Sequence, residues 1–188
     1  MIGKNEIRLC IMTSSNEQRP ALVVLDMIAI AQFLGKHVFR TIDSATFDQA
    51  ISRNNALISA FSAKGLPVFI MNLELTGLLK SFNGRLFRPL LSNEALAAGT
   101  VLAKHGPSGF AQSELYERLT AQNINALYVT GFSTDNAVKK TVADAEQLGF
   151  EAVVVKDASL ARNSELQAQM IRDFDEVISA ERLLRELE

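Results

Sequence analysis

The sequence predicts an α/β fold in which parallel strands alternate with helices. Three observations carry that prediction. Short apolar runs, from Ala21–Leu25 to Ala152–Val155, have strand length and are bounded by polar turns. Between them apolar residues recur at three-and-four spacing, as on one helix face. Residues 125–159 read as strand, turn, helix, strand, the repeating unit of a parallel sheet. In such sheets ligands sit beyond the carboxyl ends of the strands. The residues just after each apolar run are therefore the first place to look for chemistry.

Composition sets the outer limits. A chain of 188 residues reads as one domain spanning 1–188, large enough for a sizeable core. Apolar residues at 48% and charged residues at 21% are ordinary for a soluble α/β protein. A net charge of −2 makes no case for nucleic acid or an anionic membrane as main partner. No apolar segment approaches the roughly 20 residues of a membrane span, and no charged-then-apolar leader opens the chain. The single cysteine, Cys10, leaves no intramolecular disulfide and fits a reducing cytoplasm. It lies in the apolar run Ile7–Met12 and reads as a packed thiol. With only His37 and His105, and no paired Cys or His spacing, neither a transition-metal site nor a cofactor is expected.

The elements follow in order. Residues 1–19 are mostly polar and read as an N-terminal arm or an edge element. Ala21–Leu25, after Pro20, reads as a buried central strand ending in Asp26. An acid there suits an active-site carboxylate, and equally a helix cap or a loop ion pair. Asp43 and Ser44 are N-cap candidates for a helix whose apolar face is Phe47, Ala50, Ile51, Leu57, Ile58 and Phe61. Gly65 ends that helix and Pro67 opens the strand Val68–Met71. Asn72–Gly99 reads as loop and short helices, with a helix candidate at Asn93–Ala98. Its leucines and phenylalanines call for burial against the body or a second subunit.

Thr100–Ala103 is a third strand, ending at Lys104, a position where a lysine is usually just solvated. Ser113 is a possible N-cap of the helix Glu114–Gln122. Ala126–Val129 is a strand, and the polar turn Ser133–Asn136 leads into a helix with Val138, Thr141, Val142 and Ala145 on one face. Gly149 stops it before the strand Ala152–Val155. A helix at Glu165–Phe174, an edge strand at Val177–Ile178 and a terminal helix at Ala180–Leu187 complete the chain.

The octet Gly131-Phe132-Ser133-Thr134-Asp135-Asn136-Ala137-Val138, with Thr141 and Asp144-Ala145 beyond it, resembles the signature turn of the isochorismatase-like cysteine hydrolases. That turn runs Gly, apolar, small, Thr, polar, any, Cys, Val, then Thr and Asp-Ala. Lys104 with Ser108-Gly109-Phe110, Leu115 and Leu119 is similar, in register, to the family's lysine segment. Asp26 is similar to the aspartate that ends its first strand. The resemblance runs from about Ala21 to Leu184. It implies a three-layer αβα sandwich, Rossmann-like, around a mainly parallel sheet of about six strands. It also implies homo-oligomers, dimers or larger.

The chemistry implied by the resemblance is a Cys, Asp, Lys triad acting on a small molecule. The carboxylate takes the thiol proton, the ammonium stabilises both anions, and the thiolate attacks an electrophilic carbon. Asp26 and Lys104 are then expected to end neighbouring strands and converge on position 137. Backbone N–H groups of Ser133 and Ala137 would bind an oxyanion, with a cis peptide at Phe132–Ser133, and Phe110 and Phe132 beside the substrate. Two departures qualify this. Ala137 stands where the nucleophilic cysteine should be. Met27–Ala31 is apolar where the family carries Gln and acidic residues, which implies a drier or differently shaped pocket. No counterpart of the nicotinamidases' Asp-x-His metal motif is present.

Three origins fit Ala137: a natural member without the thiol, an engineered Cys-to-Ala form of an active amidase-type hydrolase, or an enzyme using Asp26 as acid or base. The expected function is binding of a small carbonyl- or carboxylate-bearing metabolite without thiol-dependent hydrolysis. A non-catalytic binding or assembly protein of the same fold is the rival.

Overall fold

A computed structural model describes residues 18–39 and 43–188. Cys10 and the N-terminal arm through residue 17 lie outside the described residues, so those two readings have no counterpart below. Six strands form one parallel sheet in the order β3-β2-β1-β4-β5-β6. They are β1 (Pro20–Leu25), β2 (Val68–Leu73), β3 (Thr100–Lys104), β4 (Ala126–Phe132), β5 (Glu151–Leu160) and β6 (Val177–Ile178). The helices are α1 (Ala29–Phe33), α2 (Ser44–Ala63), α3 (Asn83–Leu86), α4 (Asn93–Ala98), α5 (Leu115–Ala121), α6 (Lys139–Gln147), α7 (Ser164–Asp173) and α8 (Ala180–Glu186). A π-helical turn, Thr134–Val138, runs straight into α6. None of the helices among the described residues is long and apolar enough to cross a membrane.

The strands alternate between two cores because successive side chains point to opposite faces. Leu22 and Val24 of β1 join Phe47, Leu57, Ile58 and Phe61 of α2 on one face. Ala21, Val23 and Leu25 join Leu115 and Leu119 of α5 and Val142 and Ala145 of α6 on the other. Both faces are thus covered by helices, which is why β1 reads as an unbroken apolar run. This is the three-layer α/β architecture expected from the sequence. Asp43 caps α2, its carboxylate accepting the Thr46 N–H at 2.7 Å. Ser113 is not the cap of α5: Glu114 holds that position without a side-chain cap, though the Ser113 Oγ accepts the Leu115 N–H at 3.3 Å.

Two elements run longer than the pattern suggests, for one reason. β4 continues through Thr130-Gly131 to Phe132, and β5 continues to Leu160. Their pairing passes from Val129↔Val154 directly to Gly131↔Ser159, so β5 bulges by several residues opposite Thr130. Asn54 on α2 secures the bulge. Its amide donates to the carbonyls of Ala158 and Ala50, each at 2.8 Å, and its Oδ1 accepts the Thr130 hydroxyl at 2.6 Å. Polar Lys156-Asp157 interrupts the apolar run in sequence but not the strand in space. There Asp157 pairs with Arg53 at 3.3 Å and accepts the Ala180 N–H at 2.7 Å.

Strand order reverses between β1 and β4: β2 and β3 lie to one side, β5 and β6 to the other. Such a switch opens a crevice beyond the carboxyl ends of the two central strands. Asp26 follows β1 there, and Ser133 follows β4.

Candidate active site

Asp26 leaves β1 with a positive φ of 49°, a conformation uncommon for a residue with a side chain. Its own N–H donates to the Met71 carbonyl at 2.9 Å. Its Oδ1 accepts the Leu73 N–H at 2.8 Å, and its Oδ2 meets the Lys104 ammonium at 2.7 Å. Asp26 and Lys104 do not end neighbouring strands, as the sequence reading expects, because β2 lies between β1 and β3. The gap is about two strand spacings, roughly 9–10 Å. A lysine stem is long enough to bridge it over the end of β2, where the Leu73 N–H adds its own bond.

The Lys104 side chain is 1% exposed. Its ammonium has three protons and three acceptors: Asp26, the Gly106 carbonyl at 2.9 Å and the Pro107 carbonyl at 3.1 Å. A buried cation held this fully offsets much of its desolvation cost. Burial pushes the Asp26 carboxyl above its ordinary range, while the Lys104 charge and the bonds from Lys104 and Leu73 pull it back.

The turn after β4 is fixed to the same corner. Gly131 is abreast of Leu25, with φ at 120°, and a Cβ there would run into the Leu25 backbone. Only glycine allows β4 to approach the end of β1 so closely. The Phe132–Ser133 peptide is cis. The helical run begins at Thr134, so Ala137 sits in its first turn, where N–H groups lack partners one turn back. The Ser133 carbonyl accepts from both Asn136 (3.0 Å) and Val138 (3.1 Å). Ala137 is 3% exposed and belongs to the same apolar cluster as Leu25. Its carbonyl accepts the Thr141 hydroxyl at 2.7 Å, and the Thr141 oxygen in turn accepts the Gly109 N–H at 2.8 Å. The segment after Lys104 is thereby bonded to the helix carrying Ala137.

The two phenylalanines named from sequence are placed differently. The Phe132 ring lies 5.9 Å from that of Phe47 in the α2-side core, so only its backbone faces the turn. Phe110 stacks on Phe150, with ring centroids 6.1 Å apart, against the α5/α6-side core. Met27 and Ile28 are buried, and residues 27–29 pair with 88–90: Ala29 donates to the Arg88 carbonyl and Leu90 to the Met27 carbonyl. The apolar stretch after Asp26 thus turns toward the inter-strand segment.

Sequence reasoning missed two contributors and matched a third, Thr134, without giving it a role. The carbonyls of Gly106 and Pro107 complete the lysine shell, and backbone acceptors leave no mark in side-chain identity. Arg162, after β5, pairs with Asp135 in the turn at 2.6 Å, across 27 residues of chain. The Thr134 hydroxyl is fully buried and has no hydrogen-bond partner among the described residues. Among those residues no group of three or more His, Cys, Asp or Glu is arranged to hold a metal ion.

Comparison with known proteins bears on the fold. The isochorismatase domain model matches residues 20–182. An isochorismatase family protein, YecD, of Escherichia coli O157:H7 is 25% identical over 94% of this chain and 98% of its own length. Maleamate amidohydrolase of Pseudomonas putida is 30% identical over 79 residues, covering 42% of this chain and 37% of its own. Among solved structures, an isochorismatase-like hydrolase from Alkaliphilus metalliredigens superposes with a TM-score of 0.71 at 18% identity, covering 90% of this chain and 99% of its own. That likeness concerns the fold.

Proposed function

Because the chain belongs to the isochorismatase family, we propose that its Asp26–Lys104 corner binds a small carbonyl- or carboxylate-bearing molecule, without thiol-dependent hydrolysis. The observation that carries this reading is the 2.7 Å ion pair kept beyond the switch-point strands, with alanine in the first turn of the adjoining helix. Asp26 supplies a carboxyl pushed toward protonation by burial, suited to hydrogen-bonding or proton exchange with a carbonyl oxygen. The N–H groups at Ser133 and Ala137 are the donors assigned to a polarised oxygen. Position 137 is read as the nucleophile's place, and a methyl group there cannot form a covalent intermediate. The buried Thr134 hydroxyl adds support. An unpaired buried hydroxyl costs about 1–3 kcal/mol, which a ligand oxygen would relieve.

Amide-containing compounds are the first class to test, since maleamate amidohydrolase is among the sequence relatives. A thermal-shift screen of small amides and carboxylates is expected to yield stabilising compounds, and Lys104→Met is expected to abolish their effect. A screen without a single stabilising compound would overturn the reading. The alternative, a non-catalytic assembly protein, is favoured by the closed polar shell of Lys104, whose three protons all have acceptors within the chain.

A further inference from the structure

Val138, Thr141, Val142 and Ala145 share the buried face of the helical run from Thr134, and Thr141 is the polar member. A threonine inside a helix commonly satisfies itself by bonding the carbonyl one turn back. Thr141 does so, its hydroxyl donating to the Ala137 carbonyl at 2.7 Å. That bond alone would leave the oxygen of a wholly buried side chain without a donor. The oxygen instead accepts the Gly109 N–H at 2.8 Å, from a residue 32 positions away. One buried hydroxyl thus joins two segments, donating to one and accepting from the other.

The second segment is a short loop that follows β3. It closes on itself: the His105 N–H donates to the Ala111 carbonyl and the Ala111 N–H to the Ser108 carbonyl, each at 3.1 Å. It is tied outward on two sides. On the β2 side the His105 Nδ1 lies 3.0 Å from the Glu74 carbonyl. On the α6 side Thr141 holds Gly109. The Gly106 and Pro107 carbonyls that hold the Lys104 ammonium lie between these ties. His105 and Pro107 are exposed, so the loop has little packing of its own to keep it in place. Gly109 is buried between α6 and the end of β1. A Cβ there would stand 3.2 Å from both the Thr141 Cγ2 and the Cδ2 of Leu25, the residue before Asp26.

We propose that Thr141 is a positioning residue of the Asp26–Lys104 corner. Its hydroxyl fastens the loop that holds the lysine to the helical turn that carries Ala137. It thereby fixes the ammonium relative to Asp26 and to position 137. The path is short and continuous: ammonium, Pro107 carbonyl, loop backbone, Gly109 N–H, Thr141 hydroxyl, Ala137 carbonyl. A buried ion pair offsets its desolvation only while its geometry and its additional hydrogen bonds are kept. Without the hydroxyl, the buried Gly109 N–H has no acceptor, and the loop leaves to find one in water. The carbonyls of Gly106 and Pro107 then leave the ammonium. This role presupposes that the corner binds a ligand, and Thr141 acts on it through Lys104 without touching the ligand.

The test observes the ammonium itself, in isotope-labelled full-length protein without ligand. Every other lysine among the described residues is exposed, so an ammonium signal protected from exchange marks Lys104. The wild type is expected to show that signal in a proton–nitrogen correlation spectrum. Thr141→Val keeps the side-chain shape and removes the hydroxyl. It is expected to speed exchange of the ammonium protons about tenfold or more, as local opening does. Thr141→Ser keeps the hydroxyl and is expected to restore the wild-type rate. Asp43→Ala removes the cap of α2 on the other face of the sheet, lowering stability without touching the loop. It is expected to leave the rate unchanged. Should Thr141→Val not fold, Gly109→Ala pushes the same bond apart with the hydroxyl in place, and the same acceleration is expected. A wild type without a protected ammonium would overturn the proposal. So would removal of the bond with no change in rate, failure of Thr141→Ser to restore it, or equal acceleration by Asp43→Ala. Compounds that stabilise the wild type are expected to shift Thr141→Val less and Thr141→Ser as much. A screen without such compounds overturns the ligand reading whatever the ammonium does, so the two failures are told apart.

Discussion

Lys104→Met is expected to destabilise the protein by about 3–5 kcal/mol at pH 7, the usual cost of removing one partner of a buried ion pair. The change leaves the Asp26 carboxylate buried with only the Leu73 N–H, and takes the donor from the Gly106 and Pro107 carbonyls. The loss should depend on pH, with a determinate sign. Asp26 is already raised by burial, and Lys104 is the main influence holding it down. Without the ammonium it rises further. A carboxyl whose folded value lies above its unfolded value, about 3.9, holds a proton in the folded state that the unfolded chain lacks. Stability then increases as pH falls through the folded value toward the unfolded one. The variant's deficit should therefore shrink between pH 7 and pH 5, more steeply than any gain the wild type shows over the same range. Urea unfolding at the two pH values measures it. A deficit independent of pH would mean that the charge left behind is not Asp26.

Ala137→Cys, made with Cys10→Ser so that one thiol remains, is expected to give a reactive cysteine. Position 137 lies in the first turn of the helical run from Thr134, where free N–H groups favour an anion. The Lys104 ammonium adds positive potential, and Asp26 opposes it with one negative charge while offering a proton acceptor. The helix end and the lysine together outweigh the carboxylate, so the thiol should ionise below the usual 8.5 or so. At pH 7 iodoacetamide should alkylate it about ten times faster than an exposed model thiol. Ala137 is 3% exposed, so rapid reaction also requires that a small amide can reach the site. Alkylation slower than the model thiol would show that the field or the access is missing in this chain.

Much of this structure is legible in the sequence. Val68, Thr100 and Ala126 read as strand starts, as they are, because buried parallel strands are nearly continuous apolar runs. The helix from Asn93 to Ala98 was readable from its residues, and so were the two-residue strand Val177–Ile178 and the terminal helix. The β5 bulge was not, because Lys156 and Asp157 break the apolar pattern while their partners, Arg53 and the start of α8, come from distant segments. Strand order was equally hidden: nothing local to Asp26 or Lys104 says that β2 separates them. Local pattern also named Phe110 and Phe132 by register but could not tell which way each ring turns, and both turn into the cores. The leucines and phenylalanines of residues 72–99 call for cover by the body or a second subunit. Leu91 is buried, and Leu78, Leu79 and Leu86 remain in solvent.

The most direct test of the central claim is a hydrolysis assay of the wild type and Ala137→Cys side by side, on the amides that stabilise the wild type. On the proposed function the site would bind such molecules and lack only the sulfur needed to cleave them. The wild type should bind without turnover above buffer, and Ala137→Cys should release product with a burst matching one acyl-enzyme per chain. Turnover by the wild type, unchanged by Ala137→Cys and lost in Asp26→Asn, would contradict the account and make this chain an enzyme that needs no thiol.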